Sequence, residues 1–294
     1  MTDTDTKFFF EFKKNIDPGL YIISTPIGNK MDITLRSIET LQLANIIVCE
    51  NIKKTRKLFD ILGFNKLSKN WMSYNDHTSE KQTNKIIDLI ISKKIVALVS
   101  DAGTPIISDP GYKLVRKVLS KNLFVTSLPG PSAITSAITL SGQNIDKFIF
   151  LGFLPKNKNS YIGSLRKYSF FKTTLVIFEK ADRINFLLKI IREDFRGASL
   201  TIVREITKLH EEIINIPYTD INNFLKRDIK LKGEITILIS FKNSAEKKVY
   251  TNKEILKELK TLKPSQVSAM LAKKSSESRD VIYRRCVKLT KQND

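Results

Sequence analysis

The sequence predicts an α/β fold made of two α/β domains. The N-terminal sheet is expected to be doubly wound and mostly parallel, the C-terminal sheet mixed, with a small helical appendage after them. Three observations lead there. Short apolar runs alternate with helical patterns from Leu20 to Leu140, as βαβ units do. A second set of strand and helix patterns runs from Lys147 to Phe241, and its alternating stretch His210–Ile216 suits a hairpin. At about 150 residues per domain, a chain of 294 residues makes two domains.

Residues 1–18 are mixed in charge, lack periodicity and end at Asp17-Pro18-Gly19, which reads as a poorly ordered arm. The first domain is expected over 19–144. Its strands are Leu20–Ser24, Asn45–Cys49, Trp71–Tyr74, Ile95–Ser100 and Leu123–Leu128. Its helices are Asp32–Leu43, a stretch through Leu62, Ser79–Ser92, Gly111–Ser120 and Ser132–Leu140. The second domain, 145–243, is expected to hold strands Lys147–Leu154, Thr174–Phe178, Ser199–Val203 and Glu234–Phe241, with helices Ile162–Tyr168, Asp182–Phe195 and Thr219–Leu225. Lys242–Thr251 is polar and reads as a linker. Three helical pieces follow within 252–294: Asn252–Leu262, Pro264–Ala272 and Glu277–Leu289. Their pattern fits a helix-turn-helix or a capping bundle equally well.

Composition excludes several classes. With 41% apolar and 27% charged residues, the chain has ample core material and is not disordered as a whole. Two cysteines, Cys49 and Cys286, make no disulfide framework and suit a reducing cytoplasm. No apolar run reaches the roughly 18 residues of a membrane span, and a signal peptide is not expected behind Asp3 and Asp5. The net charge of +20 points to a polyanion such as RNA, DNA or a polycarboxylate, or to a lysine-rich codon bias. From Lys253 to Asp294, eleven basic residues stand against five acidic ones.

Common chemistries are missing. There is no Gly-x-Gly-x-x-Gly after the first strand, no P-loop and no Gly-x-Ser-x-Gly elbow. Two histidines and two cysteines far apart supply no metal-ligand spacing. What remains are three loops, each at the C-terminal end of an expected strand, where doubly wound sheets bind ligands. They are Ser24-Thr25-Pro26-Ile27-Gly28-Asn29, Ser100 to Gly111, and Leu128-Pro129-Gly130-Pro131-Ser132-Ala133. The second is long for such a connection and carries two Gly and two Pro, which favours a binding role. Within it, Asp109-Pro110 reads as an N-cap followed by Pro at the first helical position. Ser132 is placed to cap the next helix.

In order and spacing these loops resemble the tetrapyrrole-methylase superfamily, and within it the ribosomal RNA branch. The likeness continues through Phe150-Leu151-Gly152-Phe153-Leu154-Pro155, Val203 to Glu211 and Lys232-Gly233-Glu234-Ile235, so it covers about 19–241. It implies a dimeric methyltransferase using S-adenosylmethionine, without a metal, held between the domains. It further implies 2′-O-methylation of a cytidine ribose in the decoding region of 16S rRNA in the small ribosomal subunit. By motif position the donor contacts are expected at Pro26, Asp101, Ala102, Gly103, Thr104, Ser132, Ala133 and Leu154. A donor without a pyrophosphate needs no glycine fingerprint. Alternatives within reach of the same fold are a methyltransferase acting on a porphyrinoid and a non-catalytic ribosome-binding factor.

Two segments depart from the family pattern. Glu50-Asn51-Ile52-Lys53 stands where Glu-Asp-Thr-Arg is usual, and Tyr74-Asn75-Asp76-His77-Thr78 where Tyr-His-Glu-His-Asn is usual. A ribose hydroxyl is a weak nucleophile, so a general base within hydrogen-bond reach would help. Candidates are Glu50, Asp101, Asp109, Glu205, Lys208, His210 and Glu211, with Glu50 and Glu205 favoured by motif position. Expected RNA contacts are Lys53, Lys54 and Arg56, Lys156 and Lys158, and Arg279, Arg284 and Arg285. The basic tail suits RNA and a dimer partner equally.

Overall fold

The computed structural model describes residues 16–171, 173–227, 231–241, 249–272, 275 and 277–291. Most of the expected arm and most of the expected linker lie outside these residues.

The first sheet is built from β1 (Gly19–Ile23), β2 (Ile46–Cys49), β3 (Asn70–Ser73), β4 (Ile95–Val99) and β5 (Val125–Leu128). All its pairings are parallel, and the spatial order is β3-β2-β4-β1-β5. Helices α1 (Leu35–Leu43), α2 (Ile52–Ile61), α3 (Glu80–Ile91), α4 (Tyr112–Ser120) and α5 (Ala133–Leu140) connect or follow the strands. Both faces of the sheet are covered, so its central strands are apolar throughout. Leu20, Ile22, Val96 and Leu98 pack with Ile86 and Ile90 of α3 and Leu114 and Val118 of α4. The alternate residues Tyr21, Ile23, Ala97 and Val99 pack with Leu41 of α1 and Phe59 of α2. Thr34, Asn51 and Ser79 cap α1, α2 and α3 by accepting backbone N–H groups. Asn51 thus keeps the helix start although it replaces the family's usual Asp.

The second sheet holds β6 (Phe148–Phe153), β7 (Thr174–Lys180), β8 (Ala198–Arg204), β9 (Glu212–Ile216) and β10 (Glu234–Phe241), in the order β6-β7-β10-β8-β9. Only β6 and β7 run parallel, so the sheet is mixed, as the sequence predicts. A bulge at Phe150–Gly152 interrupts β6. Helices α6 (Lys158–Tyr168), α7 (Ile184–Asp194) and α8 (Ile221–Arg227) belong to this half. Residues of α6, α7 and α8 share one core with Leu175, Ile177, Leu200 and Ile237. The other face meets the first half: Val176, Val203 and Leu238 pack with Ile27 and with Ala137 and Ile138 of α5.

Helices α9 (Asn252–Leu259), α10 (Pro264–Ala272) and α11 (Arg279–Lys291) form a unit with its own small core of Ile255, Val267, Leu271, Ile282, Cys286 and Leu289. Among the described residues no helix is long and apolar enough to cross a membrane.

Three local expectations are corrected. Asp109 does not cap α4. The N-cap is Gly111, at φ +136 and with no side-chain bond, and a Cβ there would lie 3.0 Å from both Ile106 and Leu98. Ser132 does stand at the N-cap of α5, but its side chain makes no capping bond. His210 lies in the turn before β9, exposed, and not in the strand itself.

Candidate functional site between the two sheets

In the order β4-β1-β5, the strands that carry the three loops are neighbours, so their C-terminal ends form one continuous edge. Hydrogen bonds lace the loops together. Thr25 and Gly103 exchange backbone bonds, each 2.9 Å. The Ser24 and Thr104 hydroxyls lie 3.0 Å apart, and Thr104 Oγ1 donates to Pro131 O at 3.2 Å. Two glycines permit this closeness. Gly103 has φ +77, a conformation that disfavours side chains. A Cβ on Gly130 would sit 2.9 Å from Cβ of Ser24.

Facing this edge are the end of β6, the end of β7 and the start of β10. Between the two lies a cavity of about 420 Å³, within the roughly 300–1,000 Å³ of small-molecule sites. From the first half, Ile27, Asp101, Ala102, Gly103, Thr104, Ile107, Asp109, Ser132, Ala133 and Ile134 line it. From the second half come Phe153, Phe178, Lys180, Glu234, Ile235 and Thr236. The rings of Phe178 and Phe153 lie 5.5 Å apart, and Phe150 meets Phe178 edge-on.

Asp101, Ala102, Gly103, Thr104, Ser132 and Ala133, all expected donor contacts, therefore meet in one cavity. Pro26 and Leu154 do not line it. Their neighbours Ile27 and Phe153 do, while Leu154 is buried in the second core. The second-half wall was missed by sequence reasoning. Its signal was the Phe-rich end of β6, Phe148-Ile149-Phe150-Leu151-Gly152-Phe153, which reads equally as core.

Asp101 is half-buried. One carboxylate oxygen pairs with Lys54 Nζ at 2.8 Å, and this raises the lysine's pKa. Its other oxygen, Oδ1, is buried without a hydrogen-bond partner among the described residues. An unpaired buried acceptor on a cavity wall calls for a donor from a ligand. The apolar walls and this acceptor fit a molecule such as S-adenosylmethionine, which carries an aromatic base, hydroxyls and an ammonium group.

The two favoured base candidates part company. Glu50 follows β2 directly and is exposed, outside the cavity lining. Glu205 is committed internally. Its Oε1 accepts from the Glu234 N–H at 2.8 Å and from Lys208 Nζ at 2.9 Å, and these bonds hold its carboxyl below the usual range. These bonds fix the loop between β8 and β9 to the start of β10. Lys208 is shared with Glu234, also at 2.9 Å. Glu211 accepts from the Thr207 N–H.

Among the expected RNA contacts, Lys53, Lys156, Arg279 and Arg284 are exposed. Lys54 is held by Asp101, Lys158 meets Glu193 at 3.3 Å, and Arg56 stacks over Trp71. Arg285 is engaged internally. Its guanidinium binds Glu277, the Tyr250 carbonyl and Asn252, tying α11 to the start of α9, so it is spent on the appendage itself.

A parallel and a mixed α/β sheet face one another across the cavity, and this arrangement is shared with a family of methylases. Residues 19–222 match the tetrapyrrole (corrin/porphyrin) methylases, and the chain belongs to that family. Among solved structures, diphthine synthase covers 75% of this chain with TM-score 0.57 at 13% identity. Cobalt precorrin-4 methyltransferase, a cobalamin biosynthetic enzyme, covers 75% with TM-score 0.53 at 16% identity. Such low identities speak for the fold alone. Nearer relatives share one description, ribosomal RNA small subunit methyltransferase I. That of Rickettsia prowazekii is 43% identical over 222 residues, 76% of this chain and 78% of its own. Those of Thermotoga maritima and Mesorhizobium japonicum are 40% and 33% identical, covering 98% and 93% of their own lengths.

Proposed function

We propose that this chain transfers the methyl group of S-adenosylmethionine to a cytidine ribose 2′-oxygen in the decoding region of small-subunit rRNA. The observation that carries the reading is the 43% identity to a ribosomal RNA small subunit methyltransferase I. It is supported by a family match that contains every first-half loop of the cavity.

The donor supplies an already activated sulfonium methyl. The chain's part is alignment and exclusion of water, which carry much of the rate in such a displacement. The Asp101 Oδ1 acceptor and the Gly103 backbone hold the donor's polar groups, while Phe153, Phe178 and Ile235 cover its apolar surface. Exposed Lys53, Lys156, Arg279 and Arg284 meet phosphates, and affinity for the subunit then falls steeply with salt. A second copy of the chain completes the assembly as a homodimer.

The test is methyl transfer from labelled donor to isolated small subunits lacking ribose methylation in the decoding region. Alkaline-cleavage resistance maps the product. One protected bond at a decoding-region cytidine is the expected result. Transfer to a polycarboxylate porphyrinoid, with none to subunits, would replace the substrate.

A further inference from the structure

The segment between β4 and α4 is contorted. Ile106 has φ +77 and Ser108 φ +64, conformations that side chains rarely adopt and that a β-branched residue adopts least of all. Neighbours on both sides hold it there. Ile106 packs into the first-sheet core, and Ser108 Oγ would lie 3.1 Å from a Cβ on Gly152, at the β6 bulge of the second sheet. Backbone strain of this kind persists only where the surroundings over-determine it, and it gathers at functional sites.

Its consequence is where Asp109 goes. Ahead of Pro110, an aspartate would ordinarily cap the helix. Here α4 starts without a side-chain cap, and Asp109 lines the cavity, half-buried, beside the donor loops. The charged groups that act on it are Glu50, from the end of β2, and Asp101, from the end of β4, while Glu179, Lys180 and Glu234 line the same cavity from the second half. Lys54 is spent on Asp101, and among the described residues no ion pair involves Asp109. Glu50 lies outside the cavity lining and Glu205 is tied to Lys208 and the Glu234 N–H. Asp109 is thus a carboxylate on the cavity wall with no cation committed to it.

We infer that Asp109 is the catalytic base, the group that accepts the proton of the acceptor hydroxyl during methyl transfer. This rests on the methyl-transfer reading above. In the balanced step the hydroxyl oxygen gains the methyl carbon as the carbon–sulfur bond breaks. The bonding pair stays on sulfur, which loses its positive charge, and the hydroxyl proton passes to the Asp109 carboxylate. The resulting carboxylic acid releases that proton to solvent. Burial first, then the like charges of Glu50 and Asp101, push the Asp109 carboxyl up to about 6, while Ser100 works the other way. A base is most effective with a pKa near the working pH.

The experiment uses the full chain, isolated small subunits and single-turnover methyl transfer across pH, with donor binding followed separately by calorimetry. Wild type should show an acid limb with its midpoint near 6, rising as Asp109 ionises. Asp109→Asn should lose about 10²–10⁴ in rate together with that limb, donor affinity staying unchanged, and Asp109→Glu should recover part of the rate. Glu50→Gln removes a like charge and should move the limb to lower pH without abolishing transfer. In the donor-free chain, the carboxyl carbon-13 signal missing from Asp109→Asn should titrate near 6. The inference is overturned if Asp109→Asn keeps its rate and limb, or if its loss tracks a loss of donor affinity. It falls equally if Glu50→Gln abolishes the limb, or if the Asp109 signal titrates as an ordinary carboxyl. No transfer by wild type would overturn the substrate reading itself, and this assignment with it.

Discussion

The two walls of the cavity are made in different ways. The first-half wall is loop: Gly, Pro, Ser and Thr, laced by backbone and hydroxyl bonds. The opposite wall is strand end: Phe153, Phe178, Lys180 and Ile235, set by a bulge and by antiparallel register. Sheet type explains the contrast. In an all-parallel sheet every strand points its C-terminal end to one edge, so loops gather there. In the mixed sheet β10 begins where β7 ends, with Glu234 opposite Lys180, so side chains on paired strands face the cavity directly. One wall contacts through backbone that only certain residues permit, and the other through side chains that can be trimmed.

Substitutions should therefore fail differently on the two walls. The largest effect is expected from Gly103→Trp. The conformation alone costs about 1–2 kcal/mol, and the indole enters the cavity, so calorimetry should detect no donor binding; full affinity would refute this placement of the loop. Gly233→Ala comes next. At φ +93 a Cβ meets the Glu205 carboxyl group head-on, and about 1–3 kcal/mol of stability should be lost, read as a lower melting temperature. On the trimmed wall, Phe178→Ala should weaken donor binding by about ten- to a hundredfold, since burying such a ring is worth about 1.5–3 kcal/mol. Its melting temperature should change less than that of Gly233→Ala, and the reverse order would break the comparison. Smallest are the tail variants. Arg285→Ala should loosen the appendage by about 0.5–1 kcal/mol, seen as faster hydrogen exchange in α9 and α11. Arg284→Ala should leave exchange unchanged and reduce the salt dependence of subunit binding by about one unit of slope.

The contrast also explains what could be read without coordinates. Gly103, Thr104, Ser132 and Ala133 were legible because Gly and Pro carry their conformational meaning locally. Their loops follow strands whose apolar runs are unmistakable. Phe178 and Ile235 were not legible, because an aromatic or branched residue at a strand end reads the same in a core as on a cavity wall. Asp109 reads in sequence as a helix cap as well as one of several base candidates. Sequence holds the Asp-Pro signal for a helix start, whereas the observed start has Gly111 fitted closely against Ile106 and Leu98, and Ser108 against Gly152. Glu205 and Arg285 show the same limit. Each sits in a motif or basic run that suggests an external partner, yet each is bound by groups remote in sequence.

The two-sheet α/β plan, the three strand-end loops and the methylase family are all legible in local sequence. Apolar periodicity, Gly and Pro restrictions and motif spacing are all properties of short stretches of chain. The partners of each carboxylate at the cavity are set by tertiary packing. Whether an acid is desolvated, paired or spent on a neighbour's N–H depends on groups that folding brings from other elements. Asp109 is surrounded by Glu50 and Asp101, and Glu205 by Lys208 and Glu234.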